Sequence, residues 1–176
     1  VCRPPEDAST QIGALLSIEH LEKVESYIEL GIEEGGTILT GGTREMTGPV
    51  IATDAGAFLR PTIIDGLDHT SRTSTEEIFG PIVTVHRFDS DEEAIEMANS
   101  TEYGLAGSIW STNIDRAHSL AQQIETGIIW VNTWLHRDLR TPFGGVKNSG
   151  VGREGGNWSL GFFSEPLNVC IKHDQE

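Results

Sequence analysis

Two short runs hold side chains whose types and spacing could do chemistry. In Glu76-Glu77-Ile78-Phe79-Gly80-Pro81 a carboxylate and an aromatic ring stand two residues apart, and in extended backbone such side chains share a face. A carboxylate can accept hydrogen bonds from two vicinal ribose hydroxyls, and a ring can pack on a planar heterocycle. By residue type alone, the pair reads first as a loop carboxylate, Glu77, and a core phenylalanine, Phe79, with Glu76 as solvated charge. The second run is Trp134-Leu135-His136-Arg137-Asp138-Leu139-Arg140-Thr141-Pro142-Phe143, where Arg137 and Arg140 lie six and three residues before the phenyl ring. An arginine fork pairs bidentately with a carboxylate, and in a partly desolvated pocket that bond is worth ~1.5–3 kcal/mol. The simpler account is that Asp138 or nearby glutamates neutralise both arginines. By residue type alone, Trp134 reads as plain core.

The elements around these runs must position them. Ile128-Ile129-Trp130-Val131, opened by Gly127, is a short apolar run that reads as a buried strand. Downstream, Gly144, Gly145, Gly150 and Gly152 fall within nine residues, and strand ends that give way to glycine-rich loops are where sites sit. Asn132, Lys147, Arg153 and Glu154 read as groups that fix this loop rather than react. Upstream, Ser17 caps a helix whose apolar face is Ile18, Leu21, Val24 and Ile28, with Gly31 and Gly35-Gly36 as its exit. Thr37–Thr40, 58–64, 82–88 and 105–110 read as strands, and 44–57 as a polar surface excursion. Thr70–Thr75 reads as a hydroxyl-rich loop. Ser90 with Glu93 forms a capping box for a helix using Ala94, Ile95, Met97 and Ala98, and Asn113 caps another with Ile114, Ala117, Leu120, Ala121 and Ile124 inward. Strand, helix, strand, helix, strand predicts an α/β fold with right-handed crossovers and a parallel-rich twisted sheet flanked by helices. Glu165–Lys172, with Leu167, Val169 and Ile171 alternating, predicts a terminal strand.

The chain of 176 residues has 27 acidic and 12 basic side chains, a formal charge of −15 that argues against a nucleic-acid partner. Only Lys23, Lys147 and Lys172 are lysines; this acidic pattern fits a protein kept soluble at high salt, with arginine-favouring codon usage as the alternative. Cys2 and Cys170 form no cysteine framework and no signal peptide is evident, so reduced thiols and a cytoplasmic setting are expected. No apolar run approaches the roughly 18 residues of a membrane span. The histidines read as exposed loop residues, and no spacing points to a metal site.

The Glu-Ile-Phe-Gly-Pro run at 77–81 and the Pro-Phe-Gly-Gly-x-Lys-x-Ser-Gly-x-Gly-Arg-Glu run at 142–154 occur in an order that resembles the aldehyde dehydrogenase superfamily from about Ser9 onward. The 134–140 segment looks most like the branch oxidising muconic semialdehydes, which carry a carboxylate besides the aldehyde. The resemblance implies half of a catalytic domain over 1–164 and an oligomerisation strand and tail over 165–176. It implies NAD as cofactor, with NADP open, Glu77 on the nicotinamide ribose and Phe79 at the nicotinamide end. It makes Arg137 the anchor for a substrate carboxylate, with Arg140 as a lesser candidate, and Trp134 and Phe143 the pocket walls. The implied reaction adds a cysteine thiolate to the carbonyl, passes hydride to NAD and releases the thioester with water.

That resemblance covers only the C-terminal third or so of a family member. The nucleophilic cysteine in a Gly-Gln-x-Cys-like setting and the general-base glutamate in a Glu-Leu-Gly-Gly-like one do not occur, so no catalytic residue is assigned. The partners expected are an aldehyde substrate, the absent N-terminal portion and further copies of the chain. Two functions follow as expectations: part of a dehydrogenase inactive by itself, or a non-enzymatic remnant serving oligomerisation or interaction.

Overall fold

The computed structural model describes residues 2–3, 6–44 and 56–173. Most of the expected surface excursion at 44–57 lies outside the described residues. Contacts divide the chain into two compact units, Val1–Thr101 and Glu102–Glu176.

The first unit is built on helix α1 (Ile18–Glu33), which starts where the Ser17 hydroxyl accepts the His20 N–H at 3.1 Å. Its exit is a left-handed Gly35 (φ 93°), after which the Gly35 and Gly36 N–H groups donate to the Ile32 and Gly31 carbonyls. Leu21, Val24 and Ile28 are buried and join Ala57, Leu59 and Ile78 in the core, each large side chain contributing roughly 1.5–3 kcal/mol. Ile18, expected on the same face, is partly exposed.

Beside α1 lies a sheet in the order β1 (Thr37–Thr40), β2 (Thr62–Asp65), β3 (Ile82–Val85). β1 and β2 are antiparallel with a bulge, whereas β2 and β3 are parallel. Between β2 and β3 the expected loop forms a single helical turn, α2 (Arg72–Thr75). Ser71 caps it, and the Glu34 carboxylate, brought from the end of α1, accepts the Arg72 and Thr73 N–H groups at 2.9 and 3.1 Å. Helix α3 (Asp91–Asn99) follows its Ser90 cap as expected, but Ala94, Ile95 and Met97 are only half-buried and Ala98 is exposed.

In the second unit β4 (Tyr103–Gly104) pairs antiparallel with β7 (Val146–Lys147), and β5 (Ala106–Ile109) pairs parallel with β6 (Ile128–Val131) across helix α4 (Ile114–Ala121). Asn113 caps α4 and Ala117 is fully buried, while Ile114 is exposed. The chain then forms α5 (Gly156–Phe163), none of whose residues is buried.

The α/β class stands, and among the described residues the strands form three small sheets, one mixed, one antiparallel and one parallel. Parallel pairing occurs where a helical connection returns the chain, at β2-α2-β3 and β5-α4-β6; elsewhere short strands meet antiparallel. The expected terminal strand is corrected: among the described residues 165–173 pair with no strand, and Leu167, Val169 and Ile171 are 85%, 69% and 69% exposed.

Candidate functional site

The first candidate lies between α2 and β3. Glu77 is exposed, Ile78 is buried in the core and Phe79 is 74% exposed. The core-phenylalanine reading is therefore corrected. Phe79 is also left-handed, with φ 62°, which costs a non-glycine residue roughly 1–2 kcal/mol. With Leu15, Leu59, Gly80, Pro81 and 12–14 its ring lines an open cavity of about 520 Å³.

This loop rests on α1. Tyr27 donates its hydroxyl to the Glu76 carboxylate at 2.7 Å, and Arg72 reaches both oxygens of that carboxylate at 2.7 and 3.1 Å. Together they hold the Glu76 pKa down to about 2, Arg72 contributing most. Glu76, read from sequence as solvated charge, is the clamp. Val24 fills the place a Gly80 Cβ would take, 2.5 Å from its Cγ1. Glu77 stands between these anchors and has no hydrogen-bond or ion-pair partner among the described residues. An exposed carboxylate without a partner among the described residues and an outward ring two residues on are groups that can accept paired hydroxyls and pack on a planar ring.

The second candidate surrounds an isolated antiparallel bridge between Phe143 and Glu154, whose N–H groups each donate to the other's carbonyl at 2.8 Å. The Arg137 guanidinium stacks 4.1 Å from the centre of the Phe143 ring and donates through Nη2 to Glu154 Oε1 at 2.6 Å. One bridged pair thus supplies both an aromatic face and a carboxylate to Arg137. The bond to Glu154 engages one nitrogen, and the fork keeps further donors for a second carboxylate.

Arg140 belongs elsewhere. Its guanidinium closes on Asp138, Nε reaching the two oxygens at 2.9 and 3.1 Å, and this contact lowers the Asp138 pKa. The neutralisation weighed from sequence is what the structure contains, by Asp138 for Arg140 and by Glu154 for Arg137. Trp134 is 59% exposed and packs edge-on against buried Trp130 at 5.0 Å, whose indole N–H donates to the His136 carbonyl. Trp134 is therefore surface and not core.

The loop-fixing groups behave as their types require. Asn132 exchanges side-chain hydrogen bonds with the Ser111 backbone at 2.9 and 2.8 Å, and Arg153 donates to the Gly145 and Gly152 carbonyls. A Cβ on Gly127 would lie 1.5 Å from the Gly144 carbonyl oxygen, so the strand opening and the glycine loop touch where no side chain fits. Sequence reasoning missed His20, which sits on α1 and hydrogen-bonds the Phe79 carbonyl. Its i, i+4, i+7 spacing with Val24 and Tyr27 was the available signal.

Both cysteines are free, Cys2 buried and Cys170 exposed. Among the described residues there is no cluster of three metal-ligating side chains, and no helix is long and apolar enough to cross a membrane.

Residues 2–169 match the aldehyde dehydrogenase family. The chain is 52% identical to 2-aminomuconic 6-semialdehyde dehydrogenase of a Pseudomonas species over 98% of its own length and 35% of the relative's. It is 46% identical to human 2-aminomuconic semialdehyde dehydrogenase over 96% of this chain and 35% of that one. Among solved structures, the NAD+ complex of a Bacillus cereus aldehyde dehydrogenase aligns with TM-score 0.86 and 38% identity, over 94% of this chain and 32% of that one. Betaine aldehyde dehydrogenase of Staphylococcus aureus, with NAD+ bound, gives 0.83 and 39%, over 89% and 31%. The chain spans about a third of the length of these relatives. With a family match over nearly all its residues and half of them shared with a curated member, the chain belongs to the aldehyde dehydrogenase family.

Proposed function

We propose that this chain is the C-terminal portion of a cytosolic, NAD-dependent aldehyde dehydrogenase that oxidises a carboxylate-bearing aldehyde of the muconic semialdehyde kind to the acid. Glu77 accepts hydrogen bonds from the nicotinamide ribose and Phe79 supports the ring. Bound NAD supplies the hydride acceptor. Arg137, held over the Phe143 ring, anchors the carboxylate of the substrate; Phe143 and Trp134 wall the aldehyde, and Arg140, paired with Asp138, takes no direct part. The observation that carries the substrate class is Arg137, a guanidinium already oriented by a ring and one carboxylate yet with donors to spare.

No cysteine of this chain serves as nucleophile: Cys2 is buried, its thiol directed at the Leu59 carbonyl, and Cys170 lies in the terminal segment. Covalent aldehyde oxidation needs a thiolate, so the chain alone forms no thioester. The exposed apolar residues of the terminal segment favour pairing with another copy, over the division 1–164 and 165–176 read from sequence.

The test is NADH formation from 2-aminomuconic or 2-hydroxymuconic semialdehyde, measured for this chain alone and mixed with a separately expressed N-terminal dehydrogenase portion. Turnover in the mixture and none for the chain alone is expected. No turnover in either, with a folded chain that self-associates, would favour a non-enzymatic oligomerisation module instead.

A further inference from the structure

Phe79 presents a problem that its own sequence does not solve. It is a bulky residue in left-handed backbone, its ring turned out from the core, and such a conformation persists only where the surroundings hold it. The element that holds it is α1. His20 Nε2 lies 2.7 Å from the Phe79 carbonyl oxygen, and the two rings meet edge-on with centroids 6.2 Å apart. A carbonyl oxygen only accepts, so Nε2 carries the proton, and His20 is either the Nε2–H tautomer or the imidazolium. The backbone orientation at Phe79, which aims the ring, is therefore fixed from one helical turn below Val24, while Tyr27, one turn above, fixes Glu76.

We infer that His20 is a positioning residue for the nicotinamide nucleotide: through its bond to the Phe79 carbonyl it keeps the ring outward beside Glu77. This rests on the cofactor reading of Glu77 and Phe79 proposed above. Without the bond, the left-handed conformation loses its anchor and Phe79 relaxes out of it, so the ring leaves the outward position it holds. A donor N–H of similar reach at position 20 is what the role requires, and the imidazole itself is not essential.

The test uses the complete dehydrogenase, this chain with its N-terminal portion, as wild type, His20→Ala, His20→Gln and Glu77→Gln. Calorimetric titration with NAD+ and the KM for NAD+ and for aldehyde are measured. His20→Ala is expected to weaken NAD+ binding and raise its KM about three- to tenfold, with the aldehyde KM unchanged, while His20→Gln stays within about twofold of wild type. Unchanged NAD+ affinity in His20→Ala, or His20→Gln as impaired as the alanine variant, overturns the inference. If Glu77→Gln binds NAD+ as well as wild type does, the cofactor reading fails and this inference with it. Loss of affinity in Glu77→Gln without loss in His20→Ala removes His20 alone. Imidazole 15N spectra of the unmutated chain give a readout independent of folding in the variants: an Nδ1–H tautomer at His20 also overturns the role.

Discussion

The two candidate regions answer their charges in opposite ways. In the first, Glu77 has no hydrogen-bond or ion-pair partner among the described residues, while its neighbours are held: Glu76 by Arg72 and Tyr27, Phe79 by His20 and Gly80 by Val24. In the second, each arginine is met by a carboxylate of its own unit, Arg137 by Glu154 and Arg140 by Asp138. A ligand hydroxyl arriving at exposed Glu77 exchanges a hydrogen bond to water for one to the carboxylate, with no protein group among the described residues competing for it. A carboxylate arriving at Arg137 shares the guanidinium with Glu154, and the like charge subtracts from what it gains. The first region thus offers a carboxylate that no described residue competes for, whereas the second offers an arginine whose direction is set by Phe143 and Glu154.

If that contrast holds, removing the cation should have the largest effect. In the reconstituted dehydrogenase, Arg137→Leu is expected to raise the KM for a carboxylated semialdehyde by about 10- to 100-fold, the loss of a charge-assisted hydrogen bond. An uncharged aldehyde of similar size should be unaffected. Steady-state kinetics on the two substrates decide it, and an equal loss for both would mean that Arg137 only supports the loop. Glu154→Gln sharpens the comparison from the other side. The amide still accepts from Arg137 but carries no charge, so the carboxylated substrate should bind about two- to threefold better, with kcat little changed. A weakened substrate would show that Glu154 orients Arg137 more than it competes for it.

Much of this arrangement was legible from sequence, and what was not has a common cause. Ser17, Ser90 and Asn113 announced their helices because capping is a local hydrogen bond, and α1 buries Leu21, Val24 and Ile28 as their spacing required. The loop roles of Asn132 and Arg153 followed from residue type. What stayed hidden depends on residues far apart in the chain. Glu34 makes α2 a helical turn by accepting from residues 38 and 39 positions later, and His20 meets a carbonyl 59 positions on. Phe79 reads as core by residue type, yet a positive φ at that one residue accompanies a ring turned outward. The terminal strand had the right alternation, but a strand needs an edge, and among the described residues none takes it.

The smallest expected effect tests whether the clamp under the first region is held by charge. Arg72 first, then Tyr27, depress the Glu76 pKa from its ordinary 4.5 to about 2. Between those values the unfolded chain binds a proton at this position that the folded chain does not. The group's contribution to stability is therefore complete above pH 4.5 and is lost as pH falls toward 2. The same bond raises the Tyr27 pKa above 10, so its phenolic end gives way only as pH rises beyond that value. Asp7 is also depressed, to about 2, and Asp68 and Asp138 are lowered, so the acid response of the whole chain is a sum. Comparing urea midpoints of wild type and Glu76→Gln at pH 7, 4.5 and 3 isolates one member. The variant should be the less stable at pH 7, with the difference shrinking toward pH 3. Because the carboxylate is solvent-facing, the whole difference should be small and should diminish further in molar salt. A difference that persists unchanged at pH 3 would mean that packing of Tyr27 and Val24, not the ion pair, keeps the loop rigid around Glu77.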